Sequence, residues 1–292
     1  MSLDHPTKKW TDFAADELES HYNPRATGVD VESYDKARAE LNQAGLAWPG
    51  RVADIAYGEG NLMDLDIYKP AQGAGPHPVH VYIHGGYWRA RQKENFGFIG
   101  ASLASRGLLT VVINYPLCPV VTLDAVVAGA RDAFGWVVQN IAEHDGDPDR
   151  ITVSGHSAGG HLGAAIMAED WAARGLTGNL LKGAVLISGV YDPTPTQHLR
   201  VNEEIGITAE LAARHNYATH QPVLNCPTHV IVGGAEPEGW IAQSADYARH
   251  IRDAGLDVTY KISHGENHFS LQDQYHTEGS DILQAISHVV GV

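Results

Sequence analysis

Apolar residues recur along this 292-residue chain in two rhythms, and the change falls near residue 50. Before it, Trp10 to Leu18 and Val31 to Leu46 have helical spacing, broken by Asn23-Pro24-Arg25. A short, polar N-terminal helical cap over residues 1–50 is predicted. After Gly50, short β-branched runs alternate with helical patterns. Strands are predicted at Val52–Tyr57, Met63–Tyr68, Val79–Ile83, Leu109–Asn114, Ile151–Ser154, Gly183–Ser188, Thr228–Val232 and Val258–Ile262. Helices are predicted near Phe96–Arg106, Leu123–His144, Ala158–Ala173 and Trp240–Ala254, with a last one from about Ser280. The alternation predicts an α/β domain over residues 51–292: a mostly parallel central sheet with helices on both faces. The unbroken apolar runs Val111–Ile113 and Val185–Ile187 fit strands buried on both sides.

Composition narrows the classes. Apolar residues make up 43% and charged residues 19%, enough for a sizeable core and too apolar for disorder. No stretch reaches the roughly 18 uninterrupted apolar residues of a membrane span. The formal net charge of −15 argues against nucleic acid and anionic membrane as partners. Met1 to Trp10 has no apolar core of a secretory signal, and two cysteines, Cys118 and Cys226, make no disulfide framework. A cytoplasmic location is expected.

In parallel sheets ligands bind beyond the carboxyl ends of the strands, and the chemistry-bearing residues cluster there. Gly155-His156-Ser157-Ala158-Gly159 matches G-x-S-x-G between a strand and a small-residue helix. Such a turn exposes the Ser157 hydroxyl above the sheet, and the helix N-terminus favours developing negative charge. Serine needs a base, and the base an orienting acid. Both are expected later in the chain, acid first. Glu236 is the first carboxylate after its strand, with Glu238 and Asp192 as rivals. His268 sits deep in its loop before Phe269, with His264 as rival. His84-Gly85-Gly86-Tyr87-Trp88 follows another strand and offers N–H donors for an oxyanion. Gly86 and Tyr87 are favoured and Gly85 is a further choice, together with Ala158 after the nucleophile.

The order HGGYW, NYPLCP (114–119), GHSAGG (155–160), SGVYD (188–192), VGGAE (232–236) and NHF (267–269) resembles the α/β-hydrolase superfamily. Within it the chain is similar to the kynurenine formamidase-like branch, related to hormone-sensitive-lipase-type esterases. The resemblance spans Arg51 to the C-terminus. It implies an α/β-hydrolase fold and a metal-free serine hydrolase with Ser157, Glu236 and His268 as its triad. One departure is Glu236, where animal formamidases of this kind carry Asp. The expected reaction is hydrolysis of small amides or esters, aryl formamides or aryl esters first. A carbamate, lactone or other xenobiotic esterase would use the same machinery. A non-catalytic ligand receptor on this fold is a third reading.

Tyr87, Trp88, His156, Tyr191, Trp240 and Phe269 are the candidate substrate contacts, and Tyr115 could join that aromatic wall. The polar segment from Pro193 to Asn225 is the expected lid, too polar for a long-chain lipase. Metal motifs fail on spacing: there is no H-E-x-x-H, and Asp145 to Asp149 lacks the glycine and glutamate of a calcium loop. No P-loop or dinucleotide motif occurs. No cofactor or metal is therefore expected, the partner is a small-molecule ester or amide, and a homodimer stays open.

Overall fold

The computed structural model describes residue 3 and residues 7–291. Residues 1, 2 and 4–6, part of the segment read for a leader, lie outside the described residues, as does Val292. In chain order the cap holds helices α1 (Leu18–Tyr22) and α2 (Val31–Leu46). Then come β1 (Arg51–Ala56), β2 (Asp64–Tyr68), β3 (His77–Ile83), α3 (Gly97–Ala104), β4 (Leu109–Ile113), α4 (Leu123–Asn140), β5 (Gly146–His156) and α5 (Ala158–Met167). After β6 (Gly183–Ile187) and the short α6 (Asn202–Ile205) and α7 (Ala209–Arg214) follow β7 (Thr228–Gly233), α8 (Glu238–Asp253), β8 (Val258–Ser263) and α9 (Asp281–Val290).

Among the described residues the strands form one sheet in the order β1-β2-β4-β3-β5-β6-β7-β8. β2 runs antiparallel to its neighbours β1 and β4, and the pairs from β4 through β8 are parallel. Alternation sorts the central side chains. Val111 and Ile113 of β4 and Ala184 and Leu186 of β6 enter the core shared with α4, α5 and α8. Val112, Val185 and Ile187 enter the opposite core beneath α3 and α9. With both faces covered, the central strands are mostly apolar on both sides, and polar members such as His80, Thr110, Thr152 and Ser154 are buried.

Several element ends differ from the sequence reading, and β5 starts at Gly146, five residues before the predicted Ile151. The Leu123 helix gives way at Asn140 to a 3₁₀ turn, Ile141–His144, closed by Asp145 in the left-handed region. The helix begun at Ala158 stops at Met167, because its last carbonyls find partners elsewhere. The Trp171 indole donates to Ile166 O at 2.9 Å, and Val223 and Leu224 N–H donate to Met167 O at 2.8 and 2.9 Å. At the N-terminus only Trp10–Asp12 and Leu18–Tyr22 are helical, so Trp10 to Leu18 is not one helix. Asp12 accepts from the Lys9 N–H at 2.8 Å and closes the first turn.

The cap docks through unlikely residues. The buried members of α2 are Val31, Arg38 and Gly45, seven apart and therefore on one face. A Cβ on Gly45 would lie 2.2 Å from the Gly97 carbonyl carbon, so α2 meets the start of α3 backbone to backbone. At the end of α1, the Tyr22 carbonyl accepts from Tyr87 Oη at 2.7 Å and from Trp240 Nε1 at 3.0 Å. No helix among the described residues is long and apolar enough to cross a membrane.

Candidate active site

Ser157 occupies the one-residue turn between β5 and α5, at φ 60° and ψ −120°. Few non-glycine residues hold that conformation, and here the surroundings impose it. A Cβ on Gly155 would fall 2.1 Å from Gly159 O, and one on Gly159 2.0 Å from Ile83 O. Only glycine fits either place. The Ser157 N–H donates to Ile187 O at 2.9 Å, and its carbonyl accepts from Gly160 at 2.9 Å. Its side chain is thereby turned to the carboxyl edge of the sheet, where it lines a cavity of about 440 Å³.

His268 follows β8 and Glu236 follows β7, on adjacent strands. His268 Nδ1 lies 2.6 Å from Glu236 Oε2. A carboxylate only accepts, so Nδ1 carries the proton and Nε2 is left as the basic nitrogen. The second Glu236 oxygen accepts from Gly233 N–H at 2.9 Å and from the Ser188 hydroxyl. The Glu236 side chain is wholly buried, and these donors fix its orientation. His268 lines the same cavity as Ser157, and no hydrogen bond joins the two among the described residues. Such contacts are often loose in free enzymes and tighten when substrate binds. The rivals stand elsewhere. His264 and Glu238 are exposed, and Glu238 pairs with Lys8 at 3.1 Å. Asp192 accepts from the Thr194 N–H at 2.9 Å.

The loop after β3 closes another side of the cavity. His84 is clamped between Tyr115, with ring centres 4.3 Å apart, and Phe96 at 5.6 Å. Its Nδ1 donates to Gly85 O at 2.8 Å, and the Tyr115 hydroxyl donates to His84 O at 2.7 Å. Burial pushes the His84 imidazole down to about 4, so the clamp is uncharged. Gly86 and Tyr87 take positive φ and line the cavity with Gly85. Among the described residues, the N–H groups of Gly85, Gly86, Tyr87 and Ala158 donate to no protein carbonyl. Four donors at or near one cavity wall are left for a ligand oxygen.

Of the candidate substrate contacts, Tyr87, His156 and Phe269 line the cavity. Trp88, Tyr191 and Trp240 do not; they are core residues. The Trp88 indole donates to His161 Nδ1 at 3.3 Å, and Tyr191 stacks on Tyr247 at 4.0 Å. Trp240 packs its ring 4.4 Å from His268, behind the imidazole. Tyr115 is likewise buried, holding the His84 clamp. The expected lid over 193–225 is also corrected. It turns Leu199, Ile205, Ile207, Ala212 and Tyr217 inward as packing, and from it Val201 alone reaches the cavity. The roof comes from the cap: Pro24, Arg25, Val31, Tyr34 and Arg38 are in the wall.

Two supporting residues escaped the sequence reading. Ser188 ends its strand beside β7, a position from which a hydroxyl meets the acid. Arg38 gave no signal, being one cation on a polar helix. As for cations, Asp54, Asp64 and Glu94 bring their carboxylates together outside this cavity. Lys93 Nζ already sits among them, 3.0 Å from Asp64 and 2.6 Å from Glu94.

Comparison with known proteins bears on the fold and the class of activity. Residues 65–185 match the family described as BD-FAE. A kynurenine formamidase of Salmo salar is 32% identical over 278 residues, covering 91% of this chain and 93% of that protein. One of Danio rerio is 28% identical and covers 97% and 98%. The solved structure of a candidate thioesterase from Silicibacter sp. TM1040 superposes with a TM-score of 0.81 at 25% identity, covering 93% of this chain and 99% of the other. With such similarity along almost its whole length, and with the mostly parallel sheet in place, the chain belongs to the kynurenine formamidase family of α/β-hydrolases and is a serine-type hydrolase.

Proposed function

We propose that this hydrolase cleaves aryl formamides, and small aryl esters by the same route, through an acyl-enzyme. The carrying observation is that Ser157 and His268 line one cavity while Glu236, buried behind, holds His268 at 2.6 Å. Ser157 Oγ attacks the formamide carbon as its proton passes to His268 Nε2. Glu236 holds the imidazolium. The N–H groups of Gly86, Tyr87 and Ala158 receive the oxyanion, with Gly85 alongside. His268 then gives the proton to the aryl amine as the C–N bond breaks. Water attacks the formyl-Ser157 ester by the same steps, releasing formate and restoring the hydroxyl. None of these steps calls on a metal.

The relatives named kynurenine formamidase support the formamide choice. The cavity adds a clue about the aryl part. Four arginines line it in a chain of net charge −15. Arg38, Arg89 and Arg91 pair with Asp273, Glu204 and Asp35. Arg25 has no carboxylate partner among the described residues and lies over the Phe269 ring at 5.9 Å. An aryl ring stacked near Phe269 and carrying an acidic group would supply the missing partner. A cytoplasmic setting is part of the reading, supported by Cys118 and Cys226, both buried and unpaired.

The test is a panel of matched aryl formamides, acetates and carbamates, each with and without a ring carboxylate. The reading expects the acidic formamide to have the highest kcat/KM. A carbamate preferred over both would replace it with the xenobiotic-esterase alternative.

A further inference from the structure

Arg38 is 8% exposed, although it belongs to a helix whose other charges face solvent. Its guanidinium makes three bonds, all to the segment just after His268. Nη2 donates to Phe269 O at 2.5 Å, Nε to Asp273 Oδ1 at 2.6 Å, and Nη1 to Gln272 Oε1 at 3.3 Å. Guanidinium has no acceptor, so the Gln272 oxygen must face it. The Gln272 NH₂ is thereby turned to His156 Nδ1, 3.1 Å away. That nitrogen can then only accept, which puts the His156 proton on Nε2. The His156 and His268 rings lie 4.5 Å apart.

We propose that Arg38 is a positioning residue: it ties the cap to the loop carrying His268 and, through Gln272, holds His156 as a neutral ring with its proton on Nε2. The inference rests on the proposed mechanism, in which His268 becomes a cation during the reaction. A second cation at His156 would oppose it. Burial drives the His156 imidazole well below its usual range, with His268 and Arg38 adding repulsion. Arg38 from α2 and His268 from the loop after β8 are the charged or titratable groups bearing on His156. Gln272 caps its Nδ1, and Glu236 stands behind His268. Replacing Arg38 by a neutral residue removes one repulsion and frees the Gln272 amide to turn. His156 then gains protons at higher pH, and the acid limb of activity moves up.

The experiment uses the full chain and p-nitrophenyl acetate. In Arg38→Gln, kcat is expected to fall about tenfold to a hundredfold, the scale for a displaced catalytic group, with KM nearly unchanged. The acid limb of kcat/KM should move to higher pH and steepen. Gln272→Leu leaves the Phe269 and Asp273 anchors intact and should move the acid limb with a smaller loss of kcat. Arg38→Lys keeps the cation and should recover part of kcat. Unchanged kcat and pH profile in both Arg38→Gln and Gln272→Leu would overturn the proposal. So would losses that merely track the fraction unfolded in a thermal melt. Failure of the mechanism itself is read separately, as a wild-type chain that neither turns over the ester nor labels at Ser157 with a fluorophosphonate.

Discussion

The carboxyl edge of the sheet and the N-terminal cap build opposite walls of one cavity by different means. At the sheet edge, short loops after β3, β5, β7 and β8 put a few residues where strand geometry dictates. Glycines at 155 and 159 are forced there by contacts near 2 Å. The cap instead docks through scattered contacts of mixed kind, among them a glycine against a glycine, the Arg38 guanidinium, one carbonyl with two donors, and the pairs Asp35–Arg91 and Lys8–Glu238. In the mechanism proposed above the first wall supplies the reacting groups, and the second completes the cavity and, through Arg38, braces the loop that carries His268. One wall is thus written in motifs and the other in none.

Substitutions can separate the two walls. Ser157→Ala should cut kcat by up to about 10⁶-fold with the melting temperature unchanged, measured on p-nitrophenyl acetate. If substantial turnover survives, the sheet edge is not where the chemistry happens. Glu236→Gln should lower kcat about 10⁴-fold. Its amide would turn an NH₂ toward donors from His268, Gly233 or Ser188, and the imidazole would lose its tautomer. Gly45→Val sits far from any reacting atom, yet it drives a side chain into the Gly97 backbone. Overpacking of this kind costs about 1–3 kcal/mol, so a lower melting temperature and a raised KM are expected together. A raised KM for bulky substrates with kcat preserved would sharpen the division; a collapse of kcat would blur it. Arg25→Gln should erase the preference for a ring carboxylate, a change of about tenfold or 1.4 kcal/mol in kcat/KM, and leave neutral substrates alone. Lys8→Ala breaks an exposed pair with Glu238 and should shift stability by less than about 0.5 kcal/mol in denaturant unfolding.

Legibility follows the same boundary. The strands of the parallel sheet were readable because burial on two faces gives them unbroken apolar runs, as in Val111–Ile113 of β4 and in β6. Ser157 was readable because glycines and strand-to-helix context are local. His268 and Glu236 were readable as strand-end residues, but the choice over His264 and Glu238 needed the fold: one member of each pair points inward and the other outward. Trp88, Tyr191 and Trp240 misled because an aromatic beside a motif says nothing of what packs over it. Here His161, Tyr247 and His268 do. The bounds of α2 were read correctly from its spacing, yet its docking face was invisible, since neither Arg38 nor Gly45 is apolar. The segment 193–225 looked like a cover because its polar residues outnumber Leu199, Ile205 and Ile207 in the string, and only packing shows which side they take.

The Tyr22 carbonyl accepts from Tyr87 and from Trp240, one residue on the glycine loop and one behind the imidazole. A single oxygen therefore acts as a pin through three parts of the molecule. Lifting α1 away from the protein would unseat the glycine loop after β3 and loosen the backing of the His268 ring in one motion. Were α1 displaced, water entering the cavity would meet both parts out of place.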